Sequence, residues 1–117
     1  MPIFYNIEPF KADLHAVQGD KIIYSFNVTV NDIAFDMTPY IAEMHVRRKD
    51  GLAVKKWTSD GGTPDIVITV DVLDFYTDGF LDSGNYDYDL QIIDPVIGGI
   101  LLTLMWGQLF VQKEYTK

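Results

Sequence analysis

The sequence predicts an all-β antiparallel sandwich of seven to eight strands, and three features carry that expectation. Apolar residues recur with a period of two along most of the chain. Turn-forming pairs interrupt the alternation at short intervals, and no long window sustains the 3.6-residue repeat of an amphipathic helix. A chain of 117 residues fits a single domain with one core, here preceded by an N-terminal arm over about residues 1–17. Successive short strands of this kind pack as two sheets, face to face.

The first alternating run is Lys21–Val30, where Ile22, Tyr24, Phe26, Val28 and Val30 face inward and Ser25, Asn27 and Thr29 outward. Tyr40–Val46 repeats the pattern through Tyr40, Ala42, Met44 and Val46, with Glu43 and His45 on the other face. Asp65–Val72 follows, with Ile66, Ile68, Val70 and Val72 inward. Asn31-Asp32, Asp50-Gly51, Gly61-Gly62 and Ser83-Gly84 mark the turns. Asp50-Gly51 is a hairpin signal because both residues tolerate positive φ. Val72–Thr77 ("VLDFYT") hints at a helical turn and reads as a connection between strands. In the last strand Ile100, Leu102, Leu104 and Trp106 share a face, but beyond Gly107 the apolar residues are Leu109 and Val111. The phase slips by one, and a bulge at Gly107 would absorb the extra residue.

Composition excludes several chemistries. With no cysteine there is no disulfide, thiolate metal site or thiol nucleophile. The start "MPIFYNIEPF" lacks the pattern of a secretory signal, and no apolar run is long enough for a membrane helix, so neither secretion nor a membrane is expected. A net charge of −8 opposes binding to a phosphate backbone, and no nucleic-acid partner is expected. His15 and His45 are isolated and His45 reads as solvated; Ser25, Ser59 and Ser83 lie in no nucleophile-elbow context. "NVT" at 27–29 matches a glycosylation sequon inside a strand, where chance is the better explanation. No cofactor is expected, and an enzyme is not.

The densest chemistry is "DSGNYDYDL", residues 82–90. A strand starting at Asn85 places Tyr86, Tyr88, Leu90 and Ile92 inward and Asp87, Asp89 and Gln91 outward. Asp82, Gly84, Tyr86 and Tyr88 have the spacing of the immunoglobulin tyrosine corner, in which a tyrosine two residues before the second cysteine bonds back to nearby backbone. Tyr86 is then the corner tyrosine, and the Tyr88 ring fills the space a disulfide would bridge. This makes the sandwich Ig-like. Two alternatives use the same residues: a calcium site in which Asp74, Asp78 or Asp82 joins Asp87 and Asp89, and a small hydrolase with Asp87 and Asp89 as a carboxylate pair.

The order of the pieces adds a resemblance. "QGD" (18–20) is followed by "FDMTPYIAEMHVRRKDG" (35–51), which is similar to a D-L-T-G-Y-x-A-x-x-x-V-R pattern. Then come "DIVITV" (65–70), "SGNYDYDLQIIDP" (83–95) and "MWGQLFVQKEYT" (105–116). The series resembles the small Ig-like structural proteins of tailed bacteriophages and the N-terminal domain of phage upper baseplate proteins. Pro39 stands where the pattern carries glycine, and Met37 replaces leucine. The resemblance implies a virion structural protein assembled in the host cytoplasm. It would be an adaptor or attachment module at tail, baseplate, neck or head, contacting other virion proteins or copies of itself in an oligomeric assembly.

Candidate interface residues follow from exposure and charge. Ile3, Phe4, Tyr5, Ile7 and Phe10 precede the first strand, and Val96 and Ile97 lie in a loop. Five of the nine basic residues (Arg47, Arg48, Lys49, Lys55, Lys56) occupy one hairpin, while Asp74, Asp78, Asp82, Asp87 and Asp89 form an acidic run. The pair suggests opposite-sign registration between neighbouring subunits. Two plainer readings stand beside this one. Residues 3–7 would form an ordinary first strand, and both charge runs would be solvated faces. The rival function is a free-standing carbohydrate- or peptide-binding sandwich using Trp57, Phe75, Tyr76 and Phe80 at loop tips, or a calcium-dependent adhesion-type module.

Overall fold

The computed structural model describes residues 10–30, 32–62, 64–78 and 82–113. Its strands are β1 (Phe10–Lys11), β2 (Leu14–Val17), β3 (Lys21–Asn27), β4 (Thr29–Val30), β5 (Ile33–Ala34), β6 (Ile41–Arg47), β7 (Ala53–Thr58), β8 (Ile66–Thr69), β9 (Val72–Asp78), β10 (Gly84–Asp94) and β11 (Gly99–Gln112). Eight of these span four residues or more and β1, β4 and β5 are two-residue pieces, so the described strands outnumber the seven to eight expected. The larger sheet runs β1-β11-β10-β6-β7, with β2 also on β11, and the smaller runs β3-β9-β8. The two pack as a sandwich around one core, which takes Leu90, Ile92, Val46 and Leu109 from the first sheet and Ile66, Leu73 and Phe75 from the second.

Alternation sets which side of each strand is buried. In β10, Tyr86, Tyr88, Leu90 and Ile92 are inward and Asp87 is exposed, as the period of two requires. In β6, Ala42, Met44 and Val46 are inward; Tyr40 is half-buried in the turn before the strand. The β6–β7 hairpin turns at Gly51, which alone takes a positive φ there, of 90°. Its neighbour Asp50 accepts the Leu52 N–H through Oδ1 at 3.1 Å instead of adopting φ > 0.

Four expectations need correction. Val72–Thr77 is not a connection but most of β9, the central strand of the smaller sheet. Val72, Leu73, Phe75 and Tyr76 mimic a helical stripe because a strand with one buried face also carries apolar residues on its outer one. The run Lys21–Val30 is interrupted at Val28, whose N–H donates to the Asp71 carbonyl at 2.8 Å. Asp65–Val72 is likewise two strands, since the chain reverses at Val70-Asp71 with Val70 at φ 53°. That conformation is strained for a β-branched residue, and it is held by Met37, whose N–H donates to the Val70 carbonyl at 2.7 Å. Finally, the arm is shorter than 17 residues: β1 and β2 join the larger sheet, pairing parallel with β11, so the sandwich is not wholly antiparallel.

The phase slip in β11 is real but lies elsewhere. Leu90 pairs Met105 while Gln91 pairs Thr103, and Ile92 pairs Leu102 while Ile93 pairs Ile100, so the unpaired residues are Leu104 and Leu101. Leu102 on one side of the first bulge, and Met105, Leu109 and Val111 on the other, are thereby all inward, whereas Trp106 and Ile100 face out. Gly107 has another function. A Cβ there would lie 2.8 Å from the Ala12 carbonyl carbon and nearer still to its oxygen. Ala12 donates its N–H to the Trp106 carbonyl at 3.0 Å and turns its own carbonyl inward over the glycine, which separates β1 from β2.

Gly107→Ala is therefore expected to destabilise the fold by about 2–3 kcal/mol in urea denaturation, because backbone rather than a flexible side chain must give way. Gly62, with nothing within 4 Å of the corresponding position, is the control, and Gly62→Ala should cause no loss.

Candidate functional site

The dense stretch 82–90 is built as architecture. The Tyr86 hydroxyl donates to the Asp82 carbonyl at 2.7 Å, which forms the corner, and Gly84 between them takes φ 151°. Burial pushes the Tyr86 phenol above its ordinary pKa, the Asp82 charge adds to this, and Arg48 opposes it. Two residues on, Tyr88 is buried in the core and its hydroxyl donates to the Ala12 carbonyl at 2.5 Å. Its pKa is pushed up to about 12, mainly by burial and further by Asp13 and Tyr24. The inturned Ala12 leaves the next β11 amide without a ladder acceptor, and Asp13 supplies one: Gln108 N–H donates to its Oδ1 at 3.1 Å.

Two of the stretch's three carboxylates, Asp87 and Asp89, form ion pairs within the chain, although Asp89 Oδ1 is buried without a hydrogen-bond partner. Asp89 pairs with Arg47 at 2.9 Å and Asp87 with Lys49 at 2.7 Å, because β10 and β6 are neighbours with Asp87 opposite Arg47. Arg48 pairs with Asp50 at 2.8 Å, and Lys56 lies 3.9 Å from Glu43. The basic hairpin and part of the acidic run thus register against each other on one sheet face. Pairing between subunits is not needed to explain them.

Asp74, on the outer face of β9, lies on the opposite side of the sandwich from Asp87 and Asp89, so these three do not converge on an ion. Among the described residues no group of three or more His, Asp or Glu side chains could hold a metal. His45 is not simply solvated, since its Nε2 lies 3.3 Å from Glu43 Oε1, and His15 stacks on Phe110 with ring centroids 5.1 Å apart. Of the aromatics assigned to loop tips, Trp57 and Phe75 are buried at 1% and 2% exposure, and Tyr76 is exposed but in mid-strand. Phe80 lies outside the described residues, as do Ile3, Phe4, Tyr5 and Ile7.

No family model and no curated protein matches this chain. Among solved structures, extracellular domains 3–5 of Drosophila OTK are similar at 15% identity with a TM-score of 0.33. That match covers 97% of this chain and 36% of the other.

Several of the exposed apolar side chains lie in turns at one end. The β10–β11 turn carries Val96 and Ile97, 90% and 72% exposed, with Ile100 close behind. The β4–β5 hairpin adds Ile33 at 71% exposure, and the β8–β9 turn adds Val70. The 28–40 segment bonds to the β8–β9 turn through Val28 to Asp71 and Met37 to Val70, and it leads into β6, whose first residue Ile41 lies opposite Ile93 beside the β10–β11 turn. These segments (28–41, 69–72 and 93–100) contain Asp32, Asp36, Asp71 and Asp94 but no lysine or arginine. Sequence reading found Val96 and Ile97 but missed Val70 and Ile100, which sat inside apparent alternation, and Ile33, which follows a turn signal and belongs to no alternating run.

Two outcomes are expected. Tyr86→Phe should cost about 1–2 kcal/mol through loss of a buried hydrogen bond, whereas Asp87→Asn should cost about 0.5 kcal/mol or less, as for an exposed ion pair. Chemical denaturation ranks the two. The raised Tyr88 pKa favours the neutral phenol in the folded state. Its contribution is therefore complete below the unfolded value of 10.0 and is lost as pH rises through about 12. Tyr88→Phe should be less stable at neutral pH, yet show a flatter decline across that alkaline window.

Proposed function

We propose that this chain is a structural module of a tailed-bacteriophage particle, an adaptor or attachment piece that works through protein contacts and catalyses no reaction. The observation carrying this reading is the apolar end. Ile33, Val70, Val96, Ile97 and Ile100 are exposed together on a chain whose densest chemistry is spent on folding. Exposed apolar surface in a patch usually meets something, and the 28–40 segment and the β8–β9 turn, held to each other by backbone bonds, offer a pre-formed part of a docking end. The motif series 18–116 supports a phage particle as the setting.

The charge pattern narrows the partner. With four aspartates and no basic residue in the three segments, two copies meeting end to end would repel. The surface better suits a different virion protein with an apolar patch rimmed by basic or neutral groups. The carbohydrate- or peptide-binding rival is left with less support, because two of its four aromatics, Trp57 and Phe75, are core residues.

Mass spectrometry of purified phage particles from a host carrying the gene should find this chain. Val96→Asp combined with Ile97→Asp should change stability by no more than about 0.5 kcal/mol, as expected for exposed positions. The same variant should be lost from the particles. Particles that incorporate it normally would sink the end-on reading.

A further inference from the structure

Three Asp-Gly pairs occur in the sequence: Asp50-Gly51, Asp60-Gly61 and Asp78-Gly79, the last reaching outside the described residues. An aspartate before glycine can cyclise onto the main chain, because glycine has no side chain to crowd the attacking backbone nitrogen. The two described pairs are held very differently. At Asp50-Gly51 every group the reaction needs is engaged. Asp50 Oδ2 accepts from Arg48 at 2.8 Å and Oδ1 from the Leu52 N–H at 3.1 Å, while the Gly51 N–H donates to the Arg48 carbonyl at 2.9 Å. At Asp60-Gly61, in the loop between β7 and β8, neither the carboxylate nor the Gly61 N–H has a hydrogen-bond partner among the described residues. Asp60 does donate its own N–H to Thr58 Oγ1 at 3.1 Å, a bond that takes no part in the chemistry. Asp60, Gly61 and Gly62 are all exposed, and a Cβ at either glycine would meet nothing within 4 Å.

We propose that Asp60 is a site of spontaneous isomerisation to isoaspartate, whereas Asp50 is protected by its turn. The Gly61 nitrogen attacks the Asp60 side-chain carboxyl carbon. The amide proton and the carboxyl hydroxyl leave as water, and a five-membered succinimide closes. Water then adds to one of the two ring carbonyls. Opening at the side-chain carbonyl restores aspartate. Opening at the main-chain carbonyl breaks its bond to the Gly61 nitrogen and leaves isoaspartate, with the chain now running through the former side chain. The main chain gains one methylene, and the carboxylate is retained. The loop can accept that length, because the Asp65 N–H donates to the Thr58 carbonyl at 3.1 Å and closes the loop at its base. The extra carbon is then taken up among Asp60, Gly61 and Gly62, where nothing is packed. The inference rests on this loop alone and is independent of the proposed particle role.

Full-length protein would be incubated at neutral pH for several weeks beside a free peptide of residues 57–64. Isoaspartate would be assigned by peptide mapping, using an isoaspartate-specific methyltransferase and electron-transfer fragmentation. The expected result is conversion at position 60 within about tenfold of the peptide rate, and at position 50 at least about tenfold slower than at 60, since three hydrogen bonds must open first. Asp60→Glu, which cannot close the five-membered ring, should remove the signal at 60 and leave the circular dichroism spectrum unchanged. Conversion at 50 that keeps pace with 60 would overturn the proposal. So would a position 60 that stays unmodified while the peptide converts, or a signal that survives in Asp60→Glu at that position.

Discussion

A buried phenol must find an acceptor, and at Tyr88 that requirement organises one side of the sandwich. The ring is inward on β10, where an unpaired hydroxyl would cost about 1–3 kcal/mol. The acceptor is the Ala12 carbonyl. It can reach inward only because residue 107, opposite Tyr88 on the adjacent strand, has no side chain. Turning that carbonyl breaks the first strand into β1 and β2 and strips an acceptor from the ladder, and Asp13 restores it for Gln108. Ala12, Asp13, Tyr88 and Gly107 therefore form one dependent set. Tyr24 performs a related task from the smaller sheet, grasping β2 at His15 through both donor and acceptor roles. In a chain without cysteine, tyrosine hydroxyls tie this edge to the body.

What the sequence made legible follows the same physics. The facing of β6 and β10 could be read because each has one buried and one solvated side, and the corner because glycine and two tyrosines at fixed spacing leave few alternatives. Gly107 stood out, but its reason did not. A phase slip and a close backbone approach both call for glycine near one place, and only the second depends on a segment 95 residues earlier. The slip itself is absorbed at Leu104 and Leu101, where bulky residues gave no local sign. β9 was misread for a similar reason: its outer face is partly apolar, so the period of two vanished. The Val70 reversal was hidden because a valine at positive φ is stabilised by Met37 from a distant loop, and nothing local signals it.

The charged residues carry a lesson about scale. Basic and acidic runs separated by dozens of residues look like two surfaces made for two molecules. An antiparallel register, with Asp87 opposite Arg47 and Asp89 opposite His45, brings them together inside one. Those ion pairs are partly exposed and individually worth roughly 0–1 kcal/mol, so they tune a face of the sheet more than they hold it. They also remove most of the reason to expect electrostatic docking through the hairpin.

Association, as proposed, depends on what folding leaves exposed. The turns at one end carry Ile33, Val70, Val96 and Ile97 in solvent, among Asp32, Asp36, Asp71 and Asp94 and without a lysine or arginine. Two such ends of like charge would repel each other, so the proposed contact is with a partner of different composition and not between like ends. A contact of that kind is heterologous, and its specificity comes from the apolar side chains being placed by the turns, whereas the acidic rim excludes the wrong partner more than it adds affinity.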